Sequence, residues 1–221
     1  MEISMNVIAK VHSDFPSKFG IPRQAGLVPE LRAFLFLSRR FGIRTCCGGL
    51  EGFSHIWLIW NFSGNRQGGW SPTVRPPRLG GNRRMGVFAT RSPFRPNPMG
   101  LSCVRLDEIQ WDTPQGPMLV LSGADLMDGT PVFDIKPYVP YADCHPEATG
   151  GFTEQAGDFL LEVSFPPALL AQIPASQREA LLGVLAHDPR PSYQHDPERI
   201  YGLSFGGYNV RFRVDGKLLT V

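Results

Sequence analysis

The sequence predicts a mainly β protein: a barrel or sandwich of short strands followed by a small α+β unit. Three observations lead there. Twenty-four glycines and 21 prolines stand in 221 residues, about a fifth of the chain where roughly 12% is usual. Both types break helices, which argues against a helix bundle. Apolar residues come in short β-type runs separated by turn signals, as in all-β domains. Only near the C-terminus does a helical pattern precede a hairpin signal. At 42% apolar and 19% charged residues the chain can fill a core and does not resemble a disordered one. Its length fits one large domain, or one domain with a small appendage.

Taken in order, Val7–Val11 is a short β-type run closed by Asp14-Phe15-Pro16. Ala33–Leu37 is continuously apolar and fits a strand or a buried helix, which periodicity alone does not separate. His55–Phe62, rich in aromatic and β-branched residues, reads as a buried strand. A loop dense in Gly, Pro and Arg follows over Gly64–Gly81 and holds Trp70. Met85–Thr90, Leu101–Leu106, Met118–Ser122 and Val132–Ile135 complete the strand series. Composition shifts over Asp143–Asp158, where Gly150-Gly151 reads as a linker, so domains are expected over 1–150 and 159–221. Ser176 with Glu179 three residues on forms a capping box that opens a helix through Ala186, stopped by Pro189 and Pro191. Tyr208–Val214 alternates, with Val210, Phe212 and Val214 on one face and Asn209, Arg211 and Arg213 on the other. Asp215-Gly216 then turns the chain into a last strand.

The net charge of +2 hides a segregation. From Gly52 to Leu106 there are eight arginines and no acid, whereas from Asp107 onward acids outnumber bases by 16 to seven. Such a stretch either pairs with the acidic half or faces an anionic partner. The excess of 18 Arg over four Lys fits phosphate recognition by planar forks, or a codon bias. RNA or another polyanion is the leading partner on charge alone.

No run is long and apolar enough for a membrane span, and Met1–Ser4 lacks the start of a signal peptide. A cytoplasmic location without membrane association is therefore expected. The four cysteines form no C-x-x-C pair, and reduced, mostly buried thiols are the expectation. His12, His55, His145, His187 and His195 show no metal-ligand spacing, so no metal is expected. Neither a G-x-G-x-x-G fingerprint nor a Walker sequence is present, which leaves a Rossmann-type cofactor site unsupported. No G-x-S-x-G occurs and no Cys–His pair stands out.

Three segments could carry chemistry. In Gly86–Gly100 three prolines stiffen a loop that holds Arg91, Arg95 and Asn97 at its rim. It is either a structural proline loop or a recognition loop whose ordering is complete before a ligand arrives. In Asp128–Tyr141, Asp134 and Lys136 share one strand face. They form a weak surface ion pair, or, beside a pocket, a pair able to bind hydroxyls or take a proton. Asp188–Tyr193 holds an Arg and an aromatic among prolines, either a helix stop or a nucleotide contact.

Several stretches together resemble the TrmO/TsaA-like (YaeB-like) family of tRNA N6-adenosine methyltransferases. They are Lys18–Gln24, Gly49–Trp57, Gly69–Asn82, Gly86–Leu101, Asp128–Tyr141, Asp188–Tyr193 and Tyr208–Arg213. The resemblance implies a non-Rossmann β-barrel that works as a homodimer with S-adenosyl-L-methionine (SAM). It also implies methylation of N6 of threonylcarbamoyl-adenosine next to the anticodon of threonine tRNA. Carried across by motif, Pro22, Arg23, Gln24, Phe62, Ser63, Arg91, Leu101, Asp128, Gly129, Thr130 and Pro131 would bind the cofactor. Asp134, Lys136 and Asn97 would serve the reaction, with Asp134 accepting a hydrogen bond from the adenine amine. Arg95, Tyr138, Arg190, Tyr193, Arg211 and Arg213 would face RNA. A sulfonium methyl is already activated, so alignment of donor and acceptor carries more of the work than acid–base groups. A non-catalytic RNA-binding barrel is the alternative; a small-molecule hydrolase lacks a nucleophile.

Overall fold

The structure is a computed structural model and describes residues 2–65, 69–76, 83–155, 160–191, 194 and 196–221. Strands are numbered in chain order. The closed barrel is formed by β1 (Ala9–Ser13), β2 (Arg32–Leu37), β3 (His55–Asn61), β6 (Met99–Gln110), β7 (Met118–Ser122) and β8 (Pro131–Pro137). Around it the order is β1-β2-β7-β6-β3-β8 and back to β1, every pair antiparallel. Closure pairs every strand on both sides, which removes exposed sheet edges. Two register shifts, between Ile59 and Trp60 and between Leu106 and Glu108, supply the bends a small barrel needs.

Alternation fills the interior. Ala33, Leu35 and Leu37 of β2 are buried with Ile56, Leu58, Val104, Leu119, Leu121 and Val132. Phe34 and Phe36 lie half-buried between them along the chain. The apolar run of β2 is thus a strand; partners on both sides, β1 and β7, take its backbone hydrogen bonds.

Between β3 and β6 the chain forms a small arm, β4 (Thr73–Val74) paired with β5 (Met85–Gly86). The strand expected over Met85–Thr90 is only two residues long and gives way to a 3₁₀ turn, Val87–Ala89. There the Thr90 hydroxyl and backbone N–H both reach Val87 O, at 2.9 and 3.1 Å. This side-chain closure offers the backbone an alternative to a ladder. Short helices α1 (Arg44–Cys47) and α2 (Pro140–Asp143) decorate the connections.

The C-terminal unit has a sheet in the order β10 (Tyr201–Phe205), β11 (Tyr208–Asp215), β12 (Leu218–Thr220), β9 (Glu162–Ser164), with α3 (Pro167–Leu170) and α4 (Ala175–Ala186). Leu181, Val184 and Leu185 of α4 pack on Leu203, Phe205, Val210, Phe212 and Val214. Strands β9 and β10 are additions to the sequence reading. The capping box is a correction. Helix α4 begins at Ala175 behind Pro174, no side chain caps it, and Ser176 is already inside the first turn. Pro174, with φ −53° and ψ 138°, sets the entry geometry itself, because its ring fixes φ.

This second core is not made by the C-terminal residues alone. Phe15, Val28 and Leu31, from the connection between β1 and β2, are buried within it. A Cβ on Gly183 would stand 2.7 Å from Val28 Cγ1, so α4 approaches that connection as closely as a glycine permits.

Candidate functional site

A cleft of about 420 Å³ opens at the end of the barrel where β3 runs out and β6 begins. That is the size range of small-molecule sites. Its wall comes from four places: Lys18 to Gln24, Trp60 to Asn65, Thr90 to Leu101, and Asp125 to Thr130. The apolar part is Ile21, Pro22, Trp60, Phe62, Met99, Leu101 and Met127. Trp60 and Phe62 meet edge to face, centroids 4.4 Å apart. Trp60 can lie across β6 only because residue 100 is glycine; a Cβ there would stand 2.3 Å from the indole ring.

The polar part is largely preorganised. Arg91 donates through Nη1 to Gln24 Oε1, and Gln24 Nε2 donates to Arg23 O at 2.5 Å. Arg95 Nη1 is held on Thr90 O at 2.8 Å and Ser92 O at 3.4 Å. Lys18 Nζ donates to Asn65 Oδ1 at 2.7 Å. The arginines of the proline loop are therefore fixed by neutral oxygens rather than by carboxylates. They keep their charge available to an anionic ligand group.

The Asp128–Pro131 turn is tied to β1. Gly129 N and Thr130 O bond to the backbone of Val11 at 2.8 and 3.0 Å. Asp128 Oδ1 accepts from Ser13 N at 3.1 Å and meets His12 Nδ1 at 2.7 Å. Buried Thr130 lines the cleft.

Nine of the residues singled out by sequence thus share one cavity wall: Pro22, Arg23, Gln24, Phe62, Ser63, Arg91, Arg95, Leu101 and Thr130. Asp128, Gly129 and Pro131 belong to the turn around Thr130 but are not part of the wall. Asp134 and Lys136 are outside the cleft but near it. In register, Leu101 of the cleft wall stands opposite Ile59, and Ile59 opposite Asp134. Two strand spacings, about 10 Å, separate them on one sheet face. Asp134 Oδ2 pairs with Lys136 Nζ at 3.0 Å, both side chains about half exposed. Asn97 is exposed at the rim of the loop. Tyr138 packs on Trp57 and His55, centroids 5.9 and 6.2 Å away. Burial and the nearby Cys144, Cys103 and Asp143 raise its hydroxyl pKa.

Farther off, Arg211 and Arg213 are exposed on β11, with buried residues alternating between them. Arg190 is different. It is 9% exposed and held by the Asp188 carboxylate through Nε at 2.8 Å and Nη2 at 3.0 Å, where it braces the turn that leaves α4. Tyr193 lies outside the described residues. The cysteines are free, but only Cys47 is buried; Cys103 is half-buried, and Cys46 and Cys144 are exposed, which corrects the expectation of mostly buried thiols. Among the described residues no group of three metal-ligating side chains occurs, and no helix is long and apolar enough to cross a membrane.

Sequence reasoning missed Lys18, Trp60, Ser102, Asp125 and Met127. The signal for Asp125 was available: an acid set in the apolar run Leu121–Met127 has to be buried or partnered. Burial is the largest influence on it and raises its carboxyl pKa. Ser102, backbone N–H groups and the charge of Arg91 pull the other way.

The chain thus joins a closed barrel with a cationic, aromatic-lined cleft at its end to a small sheet with a basic face. Comparison with known proteins then places it: the chain belongs to the tRNA-methyltransferase O family. The family's N-terminal domain model matches residues 10–144 and its C-terminal domain model residues 158–221. A tRNA (adenine(37)-N6)-methyltransferase of Escherichia coli (strain K12) is 42% identical over 215 residues, 94% of this chain and 91% of that protein. A protein of Pseudomonas aeruginosa named as a putative S-adenosylmethionine-dependent methyltransferase is 39% identical over 228 residues, covering 96% and 93%. A crystal structure of TrmO aligns with TM-score 0.78 at 36% identity, over all of this chain and 97% of that one.

Proposed function

We propose that this protein methylates N6 of threonylcarbamoyl-adenosine beside the anticodon of threonine tRNA, with SAM as donor, working as a cytoplasmic homodimer. The observation that carries the reading is the cleft at the barrel end. Its chemistry fits SAM: arginines for a carboxylate, apolar and aromatic surface for adenine, and one acid, Asp125, for positive charge. The methionine-derived sulfonium supplies an activated methyl group when bound.

The chain's own residues then have to position and exclude. Pro22, Arg23, Gln24, Phe62, Ser63, Arg91, Leu101 and the Asp128–Pro131 turn form the donor side. The arginine pinning described above means little ordering is needed on binding. Asp134 and Lys136, two strands over from Leu101, stand where the acceptor base would arrive. There the Asp134 carboxylate holds the amine N–H, with Asn97 at the loop rim and Arg95 and Tyr138 beside the RNA path. Arg211 and Arg213 extend that path with charge that is sequence-blind and salt-sensitive. Alignment in a water-poor pocket is the main rate contribution, worth several kcal/mol.

The test is methyl transfer from labelled SAM to host tRNA purified with and without the threonylcarbamoyl group. Label is expected only in the modified tRNA. Salt-dependent tRNA affinity with no label incorporated would make the protein an RNA-binding barrel instead. For Asp134, single-turnover transfer by Asp134→Asn is expected to slow about a hundredfold with RNA binding unchanged; a parent-like rate removes its role.

A further inference from the structure

The cleft wall carries Lys18, Arg23, Arg91 and Arg95 but, among the described residues that line it, a single acid, Asp125. That acid is held by a directed chain. Trp60 Nε1 can only donate, and it donates to Ser102 Oγ at 3.0 Å. The Ser102 hydroxyl proton is then turned onto Asp125 Oδ1 at 2.6 Å. Ser102 itself is buried, 2% exposed, so no water competes for the arrangement.

Backbone N–H groups of Ala25 and of Asp125 also act on the carboxylate. With the Ser102 hydroxyl on Oδ1, these groups take up part of its acceptor capacity from the protein side. Its negative charge remains for a ligand. Beside it stand the Trp60–Phe62 pair and the Met127 side chain, apolar surface that a weakly hydrated cation tolerates and an aromatic face attracts. A ligand ammonium would need several acceptors; a sulfonium needs none.

Resting on the SAM reading above, we propose that Asp125, positioned by Ser102 and Trp60, is the counter-charge to the donor's sulfonium and thereby distinguishes donor from product. Methyl transfer moves the CH₃ group and the positive charge off sulfur: the C–S bond breaks, its electron pair stays on sulfur, and a neutral thioether remains. Asp125 then has no cation to hold, while the arginines still grip the rest of the product. The cleft thus favours charged donor over spent product through one side chain.

Calorimetric binding of SAM and of S-adenosylhomocysteine to the full chain tests this. Asp125→Asn is expected to weaken SAM at least tenfold and S-adenosylhomocysteine less than threefold. Equal weakening of both, as for a carboxylate that receives ribose hydroxyls or the ammonium, overturns the assignment, as does no weakening. The wild-type protein supplies a second measurement that does not depend on how the variant folds. Burial raises the Asp125 carboxyl pKa, and protonation removes the negative charge this acid brings to the wall. The preference for SAM over S-adenosylhomocysteine is expected to shrink as pH falls; a flat ratio overturns the proposal. If the wild-type chain binds neither compound, the methyltransferase reading itself falls; if it binds both without dependence on Asp125, only this assignment does.

Discussion

At the level of single residues, two carboxylates and two kinds of arginine show how environment assigns roles. Asp14 is half-buried and accepts from Gln177 Nε2 at 2.7 Å, while Gln177 Oε1 is buried without a partner. Burial raises the Asp14 pKa above its ordinary value, opposed by the Gln177 hydrogen bond and His12. An acid whose pKa is raised by folding contributes most when protonated, and its contribution falls as pH rises from about 4 through its folded value. Asp14→Asn keeps the acceptor, removes the buried charge and offers Gln177 Oε1 a donor. Its melting temperature at pH 7 is expected to rise by roughly 2–4 °C, the equivalent of about 1 kcal/mol in a chain of this size. Scanning calorimetry at pH 4 should show most of that gain gone. Among arginines, Arg190 is buried on Asp188 whereas Arg211 and Arg213 face solvent. Arg190→Ala should therefore cost about 2–4 kcal/mol in urea unfolding, because it strands the Asp188 charge. The double variant Arg211→Ala, Arg213→Ala should leave stability unchanged but lower tRNA affinity and flatten its salt dependence.

At the level of elements, the junction of β3 and β6 decides the site. Trp60 pairs with Gly100 in register, packs on Phe62, and anchors Ser102. One missing side chain thus sets an aromatic wall and a hydrogen-bond chain together. Gly100→Ala forces the indole away and is expected to cost about 1–3 kcal/mol of stability. It should also weaken SAM by a larger factor than Gly86→Ala, whose Cβ meets nothing; equal effects would separate the cleft from this junction. The proline loop matters for the same reason. Pro93, Pro96 and Pro98 keep Arg95 within reach of the Thr90 carbonyl, five residues back, so the guanidinium is presented by backbone rather than by a partner acid.

For the whole molecule, the two cores are joined by the connection between β1 and β2. Phe15 meets Phe205 edge to face at 5.3 Å, and Val28 seats against Gly183. A C-terminal fragment beginning near residue 159 would lack Phe15, Val28 and Leu31 and is expected to be unfolded by circular dichroism. In the intact chain Phe15→Ala should cost about 3–5 kcal/mol, and the loss should appear in probes of both units. The same connection supplies Lys18 to Gln24 to the cleft, so loosening the C-terminal core is expected to reduce SAM affinity as well.

Much of this was written in the linear sequence. Short apolar runs with turn signals determined the β class, because strand alternation is a local property. The proline spacing of Ser92–Gly100 and the alternation of Tyr208–Val214 likewise marked a stiff arginine loop and a basic face. Motif-length resemblance singled out the residues that converge on the cleft. What the chain order could not express is which partners meet across distance. Only the tertiary structure set Trp60, Ser102 and Asp125 in a line, buried Arg190 while exposing Arg211, and sent Phe15 into the far core. Each of those outcomes depends on burial and on contacts between segments far apart in sequence, quantities that no local pattern carries.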